Sequence, residues 1–479
     1  MPAVPGRRRH EPGGPPPRRA SGESSTKRSV RAAVGLAAAG ATALAGCAGA
    51  GAIAGGGDGE QIVVAIVSNP QMQDAISLEE HFREDHPGID VQFVSLPENE
   101  ARAKITASVA TGGGEFDVVM ISNYETQMWA ENGWIENLQP YADSTEGYAP
   151  DDFVPSVREA LSYEGELYSV PFYGESSFLA YREDVFAEEG LEMPERPTWE
   201  QVRELAAELH DPADDFSGIC LRGLAGWGEN MAPMSTVINT FGGRWFDMDW
   251  NATLDSPEVR EAVEMYIDTV QRYGEPGAAT SGFGDCLTRF SQGQAAMWYD
   301  ATSMVSSVED PNASTVAGDV GYAPAPVAET EAAGWLYSWS LAIPTTSQHK
   351  DAAWEFVSWM THPDYMRLVG EELGWERVPP GSRLSTYEIP EYAEVSSAYA
   401  DETLQAMEEA TQENTMTQPV PYPGIQFVGI PEFQDLGTRV GQQMSAAIAD
   451  QRSLDDALAQ SQLYAETVAE TYRAETGGS

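Results

Sequence analysis

Side chains able to engage a small molecule gather at four places in this 479-residue sequence. Ser68-Asn69-Pro70-Gln71 and Ser122-Asn123-Tyr124-Glu125 are polar clusters that each follow directly on an apolar run. Trp298 and Asp300 close a third such run, and Trp227 and Glu229 sit in the glycine-flanked segment GWGE. Carboxylates and amides hold hydroxyl and amino groups through paired hydrogen bonds, while aromatic rings cover apolar edges. These residue types therefore suit recognition of a small polar molecule. Each also has a local alternative, since the amides, Glu125 and Glu229 can cap helices and the tryptophans can be core. Catalytic chemistry has little support: there is no Ser/His/Asp order, no HExxH and no glycine-rich phosphate loop. No CxxC or His/Cys cluster suggests a metal, so neither metal nor cofactor is expected.

The runs that place these clusters alternate with helical segments. Residues 62–67 read as a buried strand, HPGIDVQFVSL as a second strand with Pro87-Gly88 stopping the helix before it, and 116–121 as a third. Residues 101–110 read as a helix broken by the glycines at 112–114. Residues 168–186 read as strand, turn and strand, and Pro197-Thr198-Trp199-Glu200 as a helix start capped by Thr198. Residues 220–227 read as a strand running into GWGE, and 231–241, 256–273 and 285–293 as helices. Residues 295–300, VGYAPAP and 339–344 read as further strands. Strands alternating with helices predict an α/β fold with a mostly parallel sheet, whose ligands lie beyond the carboxyl ends of the strands. Asn69, Gln71, Asn123 and Glu125 fall at such ends.

The N-terminus combines arginines and one lysine with the apolar run AAVGLAAAGATALAG, which is too short for a permanent membrane span and ends in LAGC at Cys47. That pattern reads as a secretory signal over 1–46. The LAGC ending resembles a bacterial lipobox, in which Cys47 is lipidated and residues 47–60 form a Gly/Ala tether. Eight of the 27 basic and two of the 75 acidic residues lie in 1–46, so the remainder carries 19 against 73, a net charge of −54. Such a surface repels nucleic acid and anionic membranes and is read as a solubility feature. Cys220 and Cys286 remain, either as a disulfide or as two buried thiols.

EFDVVMI, LAYREDVFAEEGLEMPERPTWEQV, FSQGQAAMWYD and WSLAIPTTSQHKDAAWEFVSWM, in this order, resemble the extracellular solute-binding proteins that include maltose-binding proteins. The resemblance extends from about 60 to 475. A narrower one, to sorbitol- and mannitol-binding receptors of polyol transporters, rests on ICLRGLAGWGENMAP, FGGRWFDMDWNATLDSP and GWERVPPGSR. It implies a two-lobed periplasmic-binding-protein-like α/β fold with a hinge and a cleft. Laid on this chain, lobe one would be 60–168 plus 319–375 and lobe two 169–318 plus 376–475, with crossings at 168–171, near Gly318 and near Trp375-Glu376.

The resemblance also implies a ligand contact for Glu175, just past the hinge, a sugar-stacking role for Trp339, and a cleft position for Asp300. Arg377, after the third crossing, is either a fork for hydroxyls or a structural ion pair. The implied protein is a monomeric, lipid-anchored receptor outside the cell, passing a polyol such as mannitol or sorbitol to permease subunits driven by a cytoplasmic ATPase. The alternatives are a receptor for a mono- or oligosaccharide, or a secreted glycoside hydrolase using a pair among Glu125, Glu175 and Asp300.

Overall fold

The computed structural model describes residues 59–476. The expected signal segment, Cys47 and most of the expected tether lie outside the described residues. The apolar run after Glu60 becomes β1 (Glu60–Val67), which pairs in parallel with β2 (Ile89–Leu96) and β3 (Val118–Ser122). Ile62, Val64, Ala65 and Ile66 are all buried, as expected for a strand covered on both faces. A short hairpin, β4 (Ser162–Tyr163) and β5 (Glu166–Leu167), precedes β6 (Val170–Glu175). β7 (Ser177–Arg182), β8 (Met297–Ala301), β9 (Val320–Pro324) and β10 (Tyr337–Ala342) complete the strands.

These strands form two main sheets, and with them two lobes. The first sheet runs β2-β1-β3-β10-β6 and the second β8-β7-β9. The expectation of mostly parallel pairing holds only for β1 with its two neighbours. β10 is antiparallel to both β3 and β6, and β7 is antiparallel to both β8 and β9. The departures lie where the chain returns from one lobe to the other, so the strand is not fed by a local crossover helix.

Sheet membership also moves the expected crossings. β6 hydrogen-bonds to β10, so the chain leaves the first sheet at Ser176 rather than at 168–171. β9 pairs with β7, so the return to the first sheet falls between Pro324 and Tyr337 rather than near Gly318.

Local signals set the helix starts. Asn69 accepts from the Met72 amide at the head of Pro70–Ser77, and Ser122 with Glu125 forms a capping box on Asn123–Glu131. Thr198 caps Trp199–Leu209 as expected, with Gln201 closing the box.

The expected strand at 220–227 does not form. Its amides turn elsewhere: Cys220 to the Met297 carbonyl, Gly223 and Leu224 to that of Ser281. A β-carbon on Gly223 would lie 2.2 Å from the Ala278 carbonyl oxygen, which shows how tightly this loop is packed. Cys220 and Cys286 are joined in a disulfide that ties this loop to helix Phe283–Ser291. Closing a loop with a sequence separation of 66 contributes roughly 4 kcal/mol by chain entropy. Among the described residues no helix is long and apolar enough to cross a membrane.

Candidate functional site

The transfer at Ser176 brings the ends of both sheets together. Tyr173 and Glu175, two residues apart, share one face of β6. Across from them β10 sets Trp339 opposite Tyr173 and Tyr337 opposite Glu175. Helix Glu98–Ala110 of the first lobe adds Glu98 and Arg102, one turn apart. From the second lobe come Asp300 at the end of β8 and the loop residues Arg222, Trp227 and Glu229.

Arg102 is buried at the junction. It donates to Glu98 Oε1 at 2.9 Å, to Glu125 Oε1 at 3.4 Å and to the Tyr337 hydroxyl at 2.5 Å. Its guanidinium lies 4.2 Å from the ring centroid of Trp227 and 4.4 Å from that of Trp339. One ring belongs to each lobe, so the cation is clasped between them. Burial opposes its charge, but Tyr337, Glu98 and Glu125 outweigh burial and its pKa is raised.

Gly226 and Gly228 allow this approach. A β-carbon on Gly228 would come within 2.5 Å of Glu98 Oε1, and one on Gly226 within 2.8 Å of Asn99 Oδ1. The glycines flanking Trp227 therefore let the second lobe's backbone lie directly on the first lobe's helix.

Arg222 is the second buried cation. Its Nε and Nη2 donate to the two oxygens of Asp300 at 2.8 and 2.5 Å, and its Nη1 to the Gly228 carbonyl at 3.0 Å. Asp300 is 0% exposed and also accepts from Trp298 Nε1 and the Ala301 amide. Its lone pairs are thus spent on aiming Arg222, and Trp298 packs with Phe283 and Phe290 in the second lobe's core.

Glu175 accepts from the Ser303 hydroxyl at 2.5 Å. Burial pushes its carboxyl up to about 8; Ser303 and Arg222 pull the other way, while Asp300 and Glu98 add to the rise. Glu229, 3.8 Å from Arg222, is raised by burial and then by Glu98.

The remaining expected residues have defined partners. Asn69 caps its helix and donates to the Tyr173 hydroxyl at 2.9 Å. Asn123 accepts from the Ser338 amide at 3.0 Å, holding the start of β10. Gln71 reaches the second lobe, donating to the Ser303 carbonyl at 3.1 Å and to Ser306 Oγ at 3.3 Å. Glu125 closes its capping box with Ser122 and receives Arg102 and Gln434. Arg377 is an interlobe ion pair, forking Asp74 in the first lobe and reaching Asp310 at 2.7 Å.

The structure thus gathers Glu125, Glu175, Trp227, Glu229, Asp300 and Trp339 around two arginines. It sets Asn69, Gln71 and Asn123 at the rim and Arg377 apart. Glu98, Arg102, Tyr173, Arg222 and Tyr337 were not among the expected residues. The available signal was the scarcity of cations: Arg222 lies among apolar and glycine residues in ICLRGLAGWGE, where a solvated arginine is out of place.

Residues 65–367 match the bacterial extracellular solute-binding protein family. The chain belongs to that family. A mannitol-binding protein of Pseudomonas aeruginosa is 45% identical over 404 residues, 84% of this chain and 92% of its own. The crystal structure of an ABC transporter solute-binding protein from Agrobacterium vitis S4 with bound D-mannitol matches with a TM-score of 0.83. The two chains are 42% identical over 87% of this chain and 99% of that one. A solute-binding protein from Agrobacterium radiobacter K84 in complex with ribitol shares the fold, with a TM-score of 0.75 at 24% identity over 86% of this chain and 99% of that one. The two-lobed α/β fold expected from the sequence is therefore the fold of this family, and the chain is a solute receptor rather than an enzyme.

Proposed function

We propose that the receptor binds a linear polyol, mannitol or sorbitol, and delivers it to the permease of an ABC importer from the outer face of the membrane. The observation that carries the ligand class is the state of the two tryptophans. Arg102 covers one face of both Trp227 and Trp339, and both side chains are buried, so neither presents a broad exposed face on which a pyranose ring could stack. The site offers forks instead: Glu175, Glu98, Glu229 and the aimed guanidinium of Arg222 can each bond neighbouring hydroxyls. An open-chain hexitol carries a hydroxyl on every carbon and has no broad ring face, so it suits such a set. The mannitol-binding relative and the mannitol complex support the same class.

Groups from both lobes surround the junction, so ligand favours the closed arrangement by differential contact. Calorimetry with mannitol, sorbitol, glucose and maltose tests the ligand class. The hexitols are expected to bind at least tenfold more tightly than either sugar. Tighter binding of glucose or maltose would replace the polyol with a sugar while leaving the receptor in place.

The anchor belongs to the same proposal. Cys47 follows Leu-Ala-Gly after an apolar run, and acyl chains on it would contribute about 0.8 kcal/mol per buried CH₂. Cys47→Ala is expected to move the receptor from the membrane fraction to the medium. A variant that stays with the membrane would remove the lipid from the account.

A further inference from the structure

Cys220, Cys286 and Glu275 form a buried cluster in the second lobe, and none of the three belongs to the site above. Both cysteines are 0% exposed and Glu275 is 8% exposed. Cys286 lies on helix Phe283–Ser291, and Glu275 in the turn after helix Pro257–Tyr273. Their two sulfurs and a carboxylate oxygen all lie within 4.8 Å of one another. Glu275 Oε1 is buried with no hydrogen-bond partner, and Oε2 stands 3.4 Å from Cys220 Sγ. Bound to Cys286, that sulfur has no proton to donate. Buried acids are ordinarily paired, yet among the described residues this one faces a disulfide and receives no donor.

Backbone bonds hold the cluster together independently of the disulfide. The Gly218 and Ile219 amides donate to the Tyr273 carbonyl at 2.9 and 3.3 Å, two residues before Glu275, and the Cys220 amide donates to the Met297 carbonyl at 2.9 Å. Breaking the S–S bond therefore leaves the loop tied to the turn that carries Glu275.

We propose that the reduced cysteines and Glu275 are a site for a thiophilic divalent cation such as zinc, and that the disulfide is its closed, metal-free form. A dithiol passes two electrons and two protons to the S–S bond, which breaks as the dithiol closes to its own disulfide. The cation then displaces both thiol protons, and the two thiolates balance its charge, so loading adds nothing to the charge Glu275 already brings. With Zn–S near 2.3 Å and Zn–O near 2.0 Å, a sulfur and an oxygen on tetrahedral zinc stand roughly 3.5 Å apart, and two sulfurs roughly 3.8 Å. Glu275 Oε2 already has that spacing from Cys220. The sulfurs reach theirs by rotating about their Cα–Cβ bonds, and a water completes the four ligands. The sequence hides this trio, because Cys220 lies 66 residues from Cys286 and 55 from Glu275.

The test titrates Zn²⁺ into the receptor with its disulfide intact and after reduction by a phosphine, which takes an oxygen from water and leaves two thiols. The reduced receptor is expected to bind one Zn²⁺ at least a hundredfold more tightly than the oxidised one, which keeps every surface acid. One Cd²⁺ should bring in an ultraviolet thiolate-to-metal charge-transfer band, and Zn²⁺ should slow the return of the disulfide. Glu275→Gln should weaken Zn²⁺ binding at least tenfold in the reduced form while keeping the cadmium band. The double variant Cys220→Ser/Cys286→Ser should lose both. If reduction alone unfolds the chain, Zn²⁺ should restore a cooperative unfolding transition. Equal affinity in the two redox forms, no charge-transfer band, or Glu275→Gln binding as tightly as the parent would each overturn the proposal. No solute enters the titration, so its outcome leaves the polyol reading untouched.

Discussion

Arg222→Met is expected to lower the unfolding free energy by roughly 3–5 kcal/mol, read as a fall in the urea midpoint, and to abolish ligand binding. The magnitude follows from what the variant leaves behind. Asp300 is 0% exposed and is forked by Arg222 on both oxygens. Without the guanidinium it keeps only the Trp298 indole N–H and the Ala301 amide as donors. Removing one partner of a buried ion pair strands the other charge in a medium that solvates it poorly. Binding is lost for a second reason, because Arg222 is the donor that Asp300 holds toward Glu175 and Glu229. The double variant Arg222→Met/Asp300→Asn separates the two effects. Trp298 and Ala301 donate to different oxygens of Asp300. The asparagine's single oxygen can keep one of the two, so the stranded charge is removed and part of the stability should return while binding does not. A single variant within 1 kcal/mol of the parent would mean that the pair carries no net burden of buried charge.

That pair also marks where the sequence stops being informative. Helix caps at Asn69, Ser122 and Thr198 are legible because donor and acceptor lie within three residues of one another. The apolar runs that become β1 and β3 are legible for the same reason, and so are the polar clusters at their ends. Arg222 finds Asp300 78 residues away, and Arg102 finds Tyr337 235 residues away. No local pattern reports such pairings: the apolar and glycine residues around Arg222 mark it as out of place for a solvated group but do not point to Asp300.

The acids were legible as types but not in their roles. Asp300 was expected to face the ligand, and its partners instead make it the holder of the residue beside it. Glu125, an expected contact, is first a cap and then a partner of Arg102. The expected strand at 220–227 failed because its apolar residues serve a loop whose amides are bonded one by one to the turn at Ser281 and to β8. The crossings moved for a related reason: strand length is set by the partner strand, here β10 for β6 and β7 for β9, and partners are not written in the segment itself.

Glu175 is expected to make the empty receptor lose stability as pH rises from about 4.5 to about 8, and Glu175→Gln to remove that loss. Its carboxyl rises from an ordinary 4.5 to about 8 because burial disfavours the anion, with Asp300 and Glu98 adding to the effect and Ser303 and Arg222 opposing it. Between those two values the folded chain keeps a proton that the unfolded chain has released. The stabilising contribution is therefore complete below about pH 4.5 and disappears as pH climbs through the folded value, by up to about 1.4 kcal/mol for each pH unit. Glutamine resembles the protonated form and still accepts from Ser303. The variant should match the parent near pH 4.5 and exceed it by a margin that widens steadily to pH 8, in urea unfolding at matched ionic strength. A margin independent of pH would show that Glu175 ionises freely in the folded receptor. Arg222→Met supplies the cross-check, since it removes a charge that favours the Glu175 anion. In that background the widening should continue past pH 8, because nothing of opposite sign remains beside the carboxyl to draw its proton away.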